Sequence, residues 1–202
     1  MSAGKKWICV FCASAPGASP SYLDTAAELG RRIAERGCGL LYGGAIVGAM
    51  GAVADGALAA GGQVVGVIPD VIKEREIEHR GLTELHVVRT MHERKALLSS
   101  RADAFVALPG GYGTLDEFIE IVTWAQLRLH AKPCVLVNTG GFYDGLLRFL
   151  DHAVREGFIL AENRGLVLAV RDPEEALRMI ESAWAERAEI PPHDARLDNV
   201  AP

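Results

Sequence analysis

Short apolar runs alternate with longer stretches of helical periodicity along almost the whole of this chain. Trp7–Phe11 reads as a buried strand. Residues 20–35 read as a helix, because Ser19 suits the N-cap, Pro20 suits the first turn, and Tyr22, Ala26, Leu29 and Ile33 share one face. Gly39–Tyr42 is a second short strand. The glycine-rich passage Gly43–Gly51 then leads into an alanine-rich helix that Gly61-Gly62 ends near residue 60. Gln63–Ile68 and Leu85–Val88 are predicted strands, separated by a polar, irregular passage. Beyond them the pattern predicts a helix over Met91–Arg101, a strand over Ala104–Leu108 and a helix from Thr114 to about Leu129. A strand over Cys134–Asn138, a helix over 143–156, a strand over Leu166–Val170 and a helix over 173–187 follow. Asp172-Pro173-Glu174 opens the last of these.

Such regular alternation implies the α/β class, with a Rossmann-like, doubly wound, mostly parallel sheet and helices on both faces. No repeat or linker divides the chain. Residues 1–189 are therefore expected to form one domain and 190–202 a proline-containing tail lying loosely on the surface. A length of 202 residues suits a single domain with a sizeable core. Ligands on such sheets sit beyond the carboxyl ends of the strands. Both glycine clusters, 43–51 and 110–113, directly follow strands and so are placed on that edge.

The densest chemistry lies in Pro109-Gly-Gly-Tyr-Gly-Thr-Leu-Asp-Glu117. Gly110, Gly111 and Gly113 leave backbone N–H groups open just before a helix, and Thr114 adds a hydroxyl. A nest of N–H groups leading into a helix N-terminus attracts anions, phosphate above all. Asp116 and Glu117 are out of character there, since a phosphate would repel them. Their presence suggests a phosphorylated ligand with a carboxylate beside it for chemistry. Glu117 has a second reading as the N3 glutamate of a capping box with Thr114. Asp116 has one as a helix-dipole residue. Arg94 shares a helical face with Met91, Leu97 and Leu98, so it leans inward and needs an anion, either a structural carboxylate, Glu117 or a bound phosphate. Lys95 is a surface residue or a second positive charge at the site. The Gly43–Gly51 passage serves close helix–sheet packing or lets backbone approach a ligand. Trp124, Ala125 and Leu127 belong to the core or a subunit interface.

Several familiar chemistries are excluded. Gly43 and Gly48 have Walker-A spacing, but Ala49-Met50 stands where Lys-Ser/Thr is needed, and neither cluster forms G-x-G-x-x-G after the first strand. His92-Glu93 begins like a zincin helix, yet Ala96 takes the second histidine position. Cys9-x-x-Cys12 lies within a strand-like run, where residues three apart face opposite sides, and no second pair completes a zinc site. With a net charge of −5 the chain is not a general nucleic-acid or membrane-surface binder. No apolar run approaches a membrane span, and the one after Lys5-Lys6 is short for a signal peptide. Buried, reduced cysteines suit the cytoplasm.

Taken together, Pro109–Glu117 matches the PGGxGTxxE signature of the LONELY GUY family of cytokinin-activating phosphoribohydrolases, and Met91-His92-Glu93-Arg94-Lys95 matches its MHxRK segment. Gly43-Gly44 through Met50-Gly51 resembles the family's GGxxxGxMG loop, and Phe11-Cys12-Ala13-Ser14 its opening FCxS. The resemblance runs from about residue 7 to 187. Asp116 stands where glutamate is common, and Ala13 and Ala15 replace residues usually Gly and Ser. The resemblance implies hydrolysis of the N-glycosidic bond of N6-modified adenosine 5′-monophosphates, without metal or cofactor, by a homodimer. It places Arg94 and Glu117 in catalysis. Ser14, Gly43, Gly44, Met91, Lys95, Gly110, Gly111, Gly113, Thr114 and Asp116 become substrate contacts. Family members were once labelled lysine decarboxylases, but this chain carries no signature of a pyridoxal-phosphate lysine. A broader purine-nucleotide nucleosidase and a non-catalytic nucleotide carrier are the alternatives.

Overall fold

The computed structural model describes residues 4–71 and 77–189. The expected tail over 190–202 and part of the irregular passage after 69 lie outside the described residues. The elements run β1 (Trp7–Phe11), α1 (Pro20–Glu35), β2 (Gly39–Tyr42), α2 (Gly48–Ala59), β3 (Val64–Pro69), β4 (Glu84–Val88) and α3 (Met91–Arg101). They continue β5 (Ala104–Ala107), α4 (Tyr112–Gln126), β6 (Cys134–Val137), α5 (Asp144–Arg155), α6 (Ala161–Arg164), β7 (Val167–Val170) and α7 (Pro173–Glu189). The seven strands form one sheet in the order β4-β3-β2-β1-β5-β6-β7, and each neighbouring pair is parallel. The doubly wound α/β expectation is therefore met.

Alternation along the central strands sends side chains to two cores. Ile8 and Val10 of β1 pack with Leu29 and Ile33 of α1, Val53 of α2 and Leu177 of α7. Cys9 and Phe11 of the same strand pack on the opposite face with Leu98 of α3, Phe118 and Ile121 of α4 and Leu150 of α5. Period-two side chains and two helical layers are the physical content of the doubly wound arrangement. Cys9 and Cys12 fall in different cores, as expected from their spacing, and all four cysteines are free and buried.

The winding reverses between β1 and β5. β1 leads outward to β2 and β3, whereas β5 leads to β6 and β7. The loops beyond Phe11 and Ala107 therefore splay apart and leave a crevice above the carboxyl ends of these two strands. Met50 N–H donates to the Ala13 carbonyl at 3.2 Å, which ties one lip to the start of α2. The Tyr143 hydroxyl donates to the Leu108 carbonyl at 2.6 Å from a buried position, which ties the other lip to the foot of α5.

Candidate active site

A cleft of about 410 Å³ occupies this crevice. The loop after β1 supplies Cys12, Ala13, Ser14 and Ala15, and α2 supplies Met50. Met91 and Arg94 come from α3, and Gly111, Tyr112, Gly113, Thr114, Asp116 and Glu117 come from the start of α4.

The first turn of α4 begins two residues earlier than Thr114. Gly111 takes the N-cap with φ −95° and ψ −149° and offers no side-chain cap. The Leu115 N–H closes the turn on the Gly111 carbonyl at 3.1 Å. Thr114 thus lies inside the helix, and the capping box of Thr114 with Glu117 does not form. No acidic residue falls in the first turn, which also removes the helix-dipole reading of Asp116. No side chain caps the turn, and its residues Gly111, Tyr112, Gly113 and Thr114 line the cleft, which is the setting in which a helix start can take an anion.

Glu117 projects from the second turn and is only 6% exposed. Arg94, also 6% exposed, reaches it from α3, with Nη2 3.2 Å from Glu117 Oε1. Nη1 of Arg94 lies 4.0 Å from the Met91 sulfur, and among the described residues its buried Nε has no hydrogen-bond partner. An ion pair so desolvated is seldom kept for stability alone, because burial offsets most of the attraction. Thr90 caps α3 by accepting from the Glu93 N–H at 3.1 Å, which fixes the turn that carries Arg94.

The charge of Glu117 is felt in the cleft floor. Burial, reinforced by this carboxylate and opposed by Arg94, pushes the Cys12 thiol well above its usual value, and the same forces act on Cys9. Both remain neutral. Lys95 lies beside Arg94 but outside the cleft lining, with Nζ 3.2 Å from Asp116 and 3.0 Å from Glu120 on α4. Burial lowers the Lys95 pKa, and hydrogen bonds to Glu120 and then Asp116 outweigh it, so the net shift is upward.

Of the residues expected at the site, Ser14, Met91, Arg94, Gly111, Gly113, Thr114, Asp116 and Glu117 meet around the cleft. Gly43, Gly44, Lys95 and Gly110 stand outside its lining. A Cβ at Gly43 would collide with Nη2 of Arg94 and come within 2.7 Å of the Met50 sulfur. Gly44 adopts φ +82° and packs against Leu85, Ile68 and Val67. The doubled glycine therefore serves close packing, with Gly43 clearing the space that Arg94 fills. Gly110 packs on Thr114 and lines a smaller apolar recess with Pro109, Tyr22 and Phe142. Cys12, Ala13, Ala15, Met50 and Tyr112 also line the cleft, outside the expected set. Met50 was legible as the methionine of the Gly48-Ala49-Met50-Gly51 turn, whereas Tyr112 carried no signal.

A family profile described as "Possible lysine decarboxylase" matches residues 50–180. A probable cytokinin riboside 5′-monophosphate phosphoribohydrolase from Oryza sativa subsp. japonica is 46% identical, over 93% of this chain and 74% of that protein. The cytokinin riboside 5′-monophosphate phosphoribohydrolase of Rhodococcoides fascians is 49% identical over 88% of this chain and 90% of its own. Among solved structures, the molybdenum cofactor carrier protein of Chlamydomonas reinhardtii superposes with a TM-score of 0.66 at 26% identity, covering 90% of this chain and 99% of that one. The molybdenum cofactor binding protein of Rippkaea orientalis gives 0.68 at 27% identity, covering 90% and 98%.

Proposed function

Since the chain belongs to the LONELY GUY family of cytokinin riboside 5′-monophosphate phosphoribohydrolases, we propose that the cleft between β1 and β5 is where it performs the family's reaction. The chain hydrolyses the N-glycosidic bond of N6-modified adenosine 5′-monophosphates, giving free cytokinin base and ribose 5-phosphate. The observation that carries the placement is the buried Arg94–Glu117 pair, set one helical turn below an uncapped glycine-rich helix start.

The 5′-phosphate rests on the free N–H groups of Gly111 and Gly113, with Thr114 beside them. This holds the ribose over Glu117. As the C1′–N9 bond lengthens, positive charge builds on the sugar, and the Glu117 carboxylate stabilises it. Water adds its oxygen to C1′ while the bonding electron pair leaves with the purine. Glu117 takes the proton from that water, and the purine takes one from solvent to leave as the neutral base. Arg94 orients the carboxylate through Nη2. It gives up no proton, since a guanidinium ionises only above about pH 12. Ser14, Met50 and Met91 close the remaining walls.

Two further parts belong to the same proposal. The chain works as a homodimer, and Leu127 and Leu129, exposed beyond the end of α4, are apolar surface for a second copy to cover. It resides in the cytoplasm, where four free thiols stay reduced.

The likeness to molybdenum cofactor proteins supports a carrier as the second reading. A carrier has use for the helix-start cradle but none for a buried carboxylate beside it. Base release from isopentenyladenosine 5′-monophosphate, AMP and the unphosphorylated riboside, followed by chromatography, tests both. Rapid release from the isopentenyl nucleotide, lost in Glu117→Gln while nucleotide binding survives, is expected. Equal release from AMP would make the enzyme a general purine-nucleotide nucleosidase. Binding without release from any of the three would leave the carrier.

A further inference from the structure

Asp116 poses an electrostatic difficulty. It lines the cleft two residues beyond Thr114, on the helix whose start is assigned to the 5′-phosphate. At neutral pH that phosphate carries between one and two negative charges, and a free carboxylate on the same rim opposes its entry. Asp116 is more than half exposed. Glu120, one turn further along α4, adds a second negative charge to the same side.

We propose that Lys95 is a positioning residue that cancels this charge, acting on phosphate binding through Asp116 rather than by touching substrate. Its ammonium lies 3.2 Å from Asp116 and 3.0 Å from Glu120, with the Lys95 side chain only 12% exposed. A lysine aimed at a bound phosphate would leave its ammonium free towards the cleft. This one is committed to two carboxylates on α4 and stands outside the cleft lining. The same contact has a mechanical consequence. Consecutive residues of α3, Arg94 and Lys95, pair with consecutive residues of α4, Glu117 and Asp116. The outer pair thus holds the two helices in the register at which the inner pair meets. The inference rests on the nucleotide reading of the cleft, because only an anionic ligand feels the difference.

The two effects are separable by measuring AMP affinity by titration calorimetry, in low salt and in 0.5 M salt. The proteins would be the intact chain, Lys95→Gln, Asp116→Asn and the double variant, with thermal melts to confirm that each folds. Two like charges about 7 Å apart in water repel enough to change affinity about threefold, and a dianion doubles that energy. Lys95→Gln is therefore expected to weaken AMP about five- to tenfold in low salt and much less in high salt. Asp116→Asn should bind AMP as well as the intact chain or better, and the double variant should recover to within about twofold of it. A double variant as weak as Lys95→Gln would overturn the inference, since Lys95 would then hold the phosphate itself or act only on structure. Unchanged affinity in Lys95→Gln, or a loss insensitive to salt, would overturn it too. If Lys95→Gln does not fold, tighter AMP binding by Asp116→Lys decides for the charge argument and unchanged binding decides against it. Nucleotide binding without turnover of isopentenyladenosine 5′-monophosphate would remove the hydrolase reading and leave this inference standing, whereas a chain that binds neither that nucleotide nor AMP would remove both.

Discussion

Gly43 makes room for Arg94: a side chain on this glycine would occupy the space that Nη2 of the guanidinium fills beside Glu117. β2 ends at Tyr42, and the residue that follows it sets how deeply Arg94 can withdraw. Gly43→Ala is expected to fold, since the colliding atoms are the ends of two flexible side chains, Arg94 and Met50. The displaced guanidinium would no longer orient Glu117. Turnover should fall about tenfold to a hundredfold, a typical cost of misplacing a catalytic group by an ångström. Steady-state kinetics beside a thermal melt checks this, and wild-type kcat in the variant would contradict it.

The sequence carried the order and type of nearly every element because strand and helix periods differ and the caps were explicit. Ser19 and Pro20 open α1 as expected, with the Ser19 hydroxyl accepting from Ser21 N–H. The start of α4 was misplaced for the complementary reason. Gly111 caps through backbone geometry alone, and Thr114-x-x-Glu117 imitates a motif that the chain does not use. The single turn α6 lacks the length for any periodicity to register. At the site, Arg94 and Glu117 were legible because an inward charge needs a partner. The role of Gly43 was not, since close packing and ligand approach both call for a missing side chain.

α1 and α2 cross through glycines that face each other's backbone. A Cβ at Gly30 would strike the Val53 carbonyl, and one at Gly56 the Ala27 carbonyl. Alanine is the better helix former by about 1 kcal/mol, so propensity alone favours substitution at both positions. Here the obstacle is backbone, which cannot rotate away. Gly30→Ala and Gly56→Ala are each expected to lose about 2 kcal/mol net, as for overpacked cores. Urea unfolding measures this, and a stabilised variant would show that the helices separate freely.

The ion pairs joining α1 to α7 make stability sensitive to acid. Glu174 meets Arg32 and Arg36, and Arg36 also meets Glu181 at 2.9 Å. Hydrogen bonding from Arg36 holds the Glu174 carboxyl below its ordinary value, and Arg31 does the same for Glu28. A depressed carboxyl stabilises the fold above its unfolded pKa of about 4.3, and that contribution disappears as pH falls through the folded value. The intact chain should therefore melt above Glu174→Gln at pH 7. The two curves should converge as pH falls below the lowered folded pKa of Glu174, when both side chains are neutral. A constant gap across the whole range would mean that the variant acts through packing instead.

Cys12 gives a readout of the cleft's electrostatics that does not depend on turnover. Its thiol lines the floor, where burial is the larger cause of its raised pKa and the Glu117 charge the smaller. Only a thiolate is nucleophilic, so alkylation by iodoacetamide at pH 8 should be at least about a hundredfold slower than for a free cysteine. Glu117→Gln removes one negative neighbour and leaves Arg94 in place, which should speed alkylation. The gain should stay well short of that produced by unfolding, because desolvation remains. Mass spectrometry of the peptide containing Cys12, with denatured protein as the reference, separates these contributions. Native labelling as fast as in the denatured chain would mean that the cleft floor is open to water and that Glu117 is not held in the dry setting its chemistry requires.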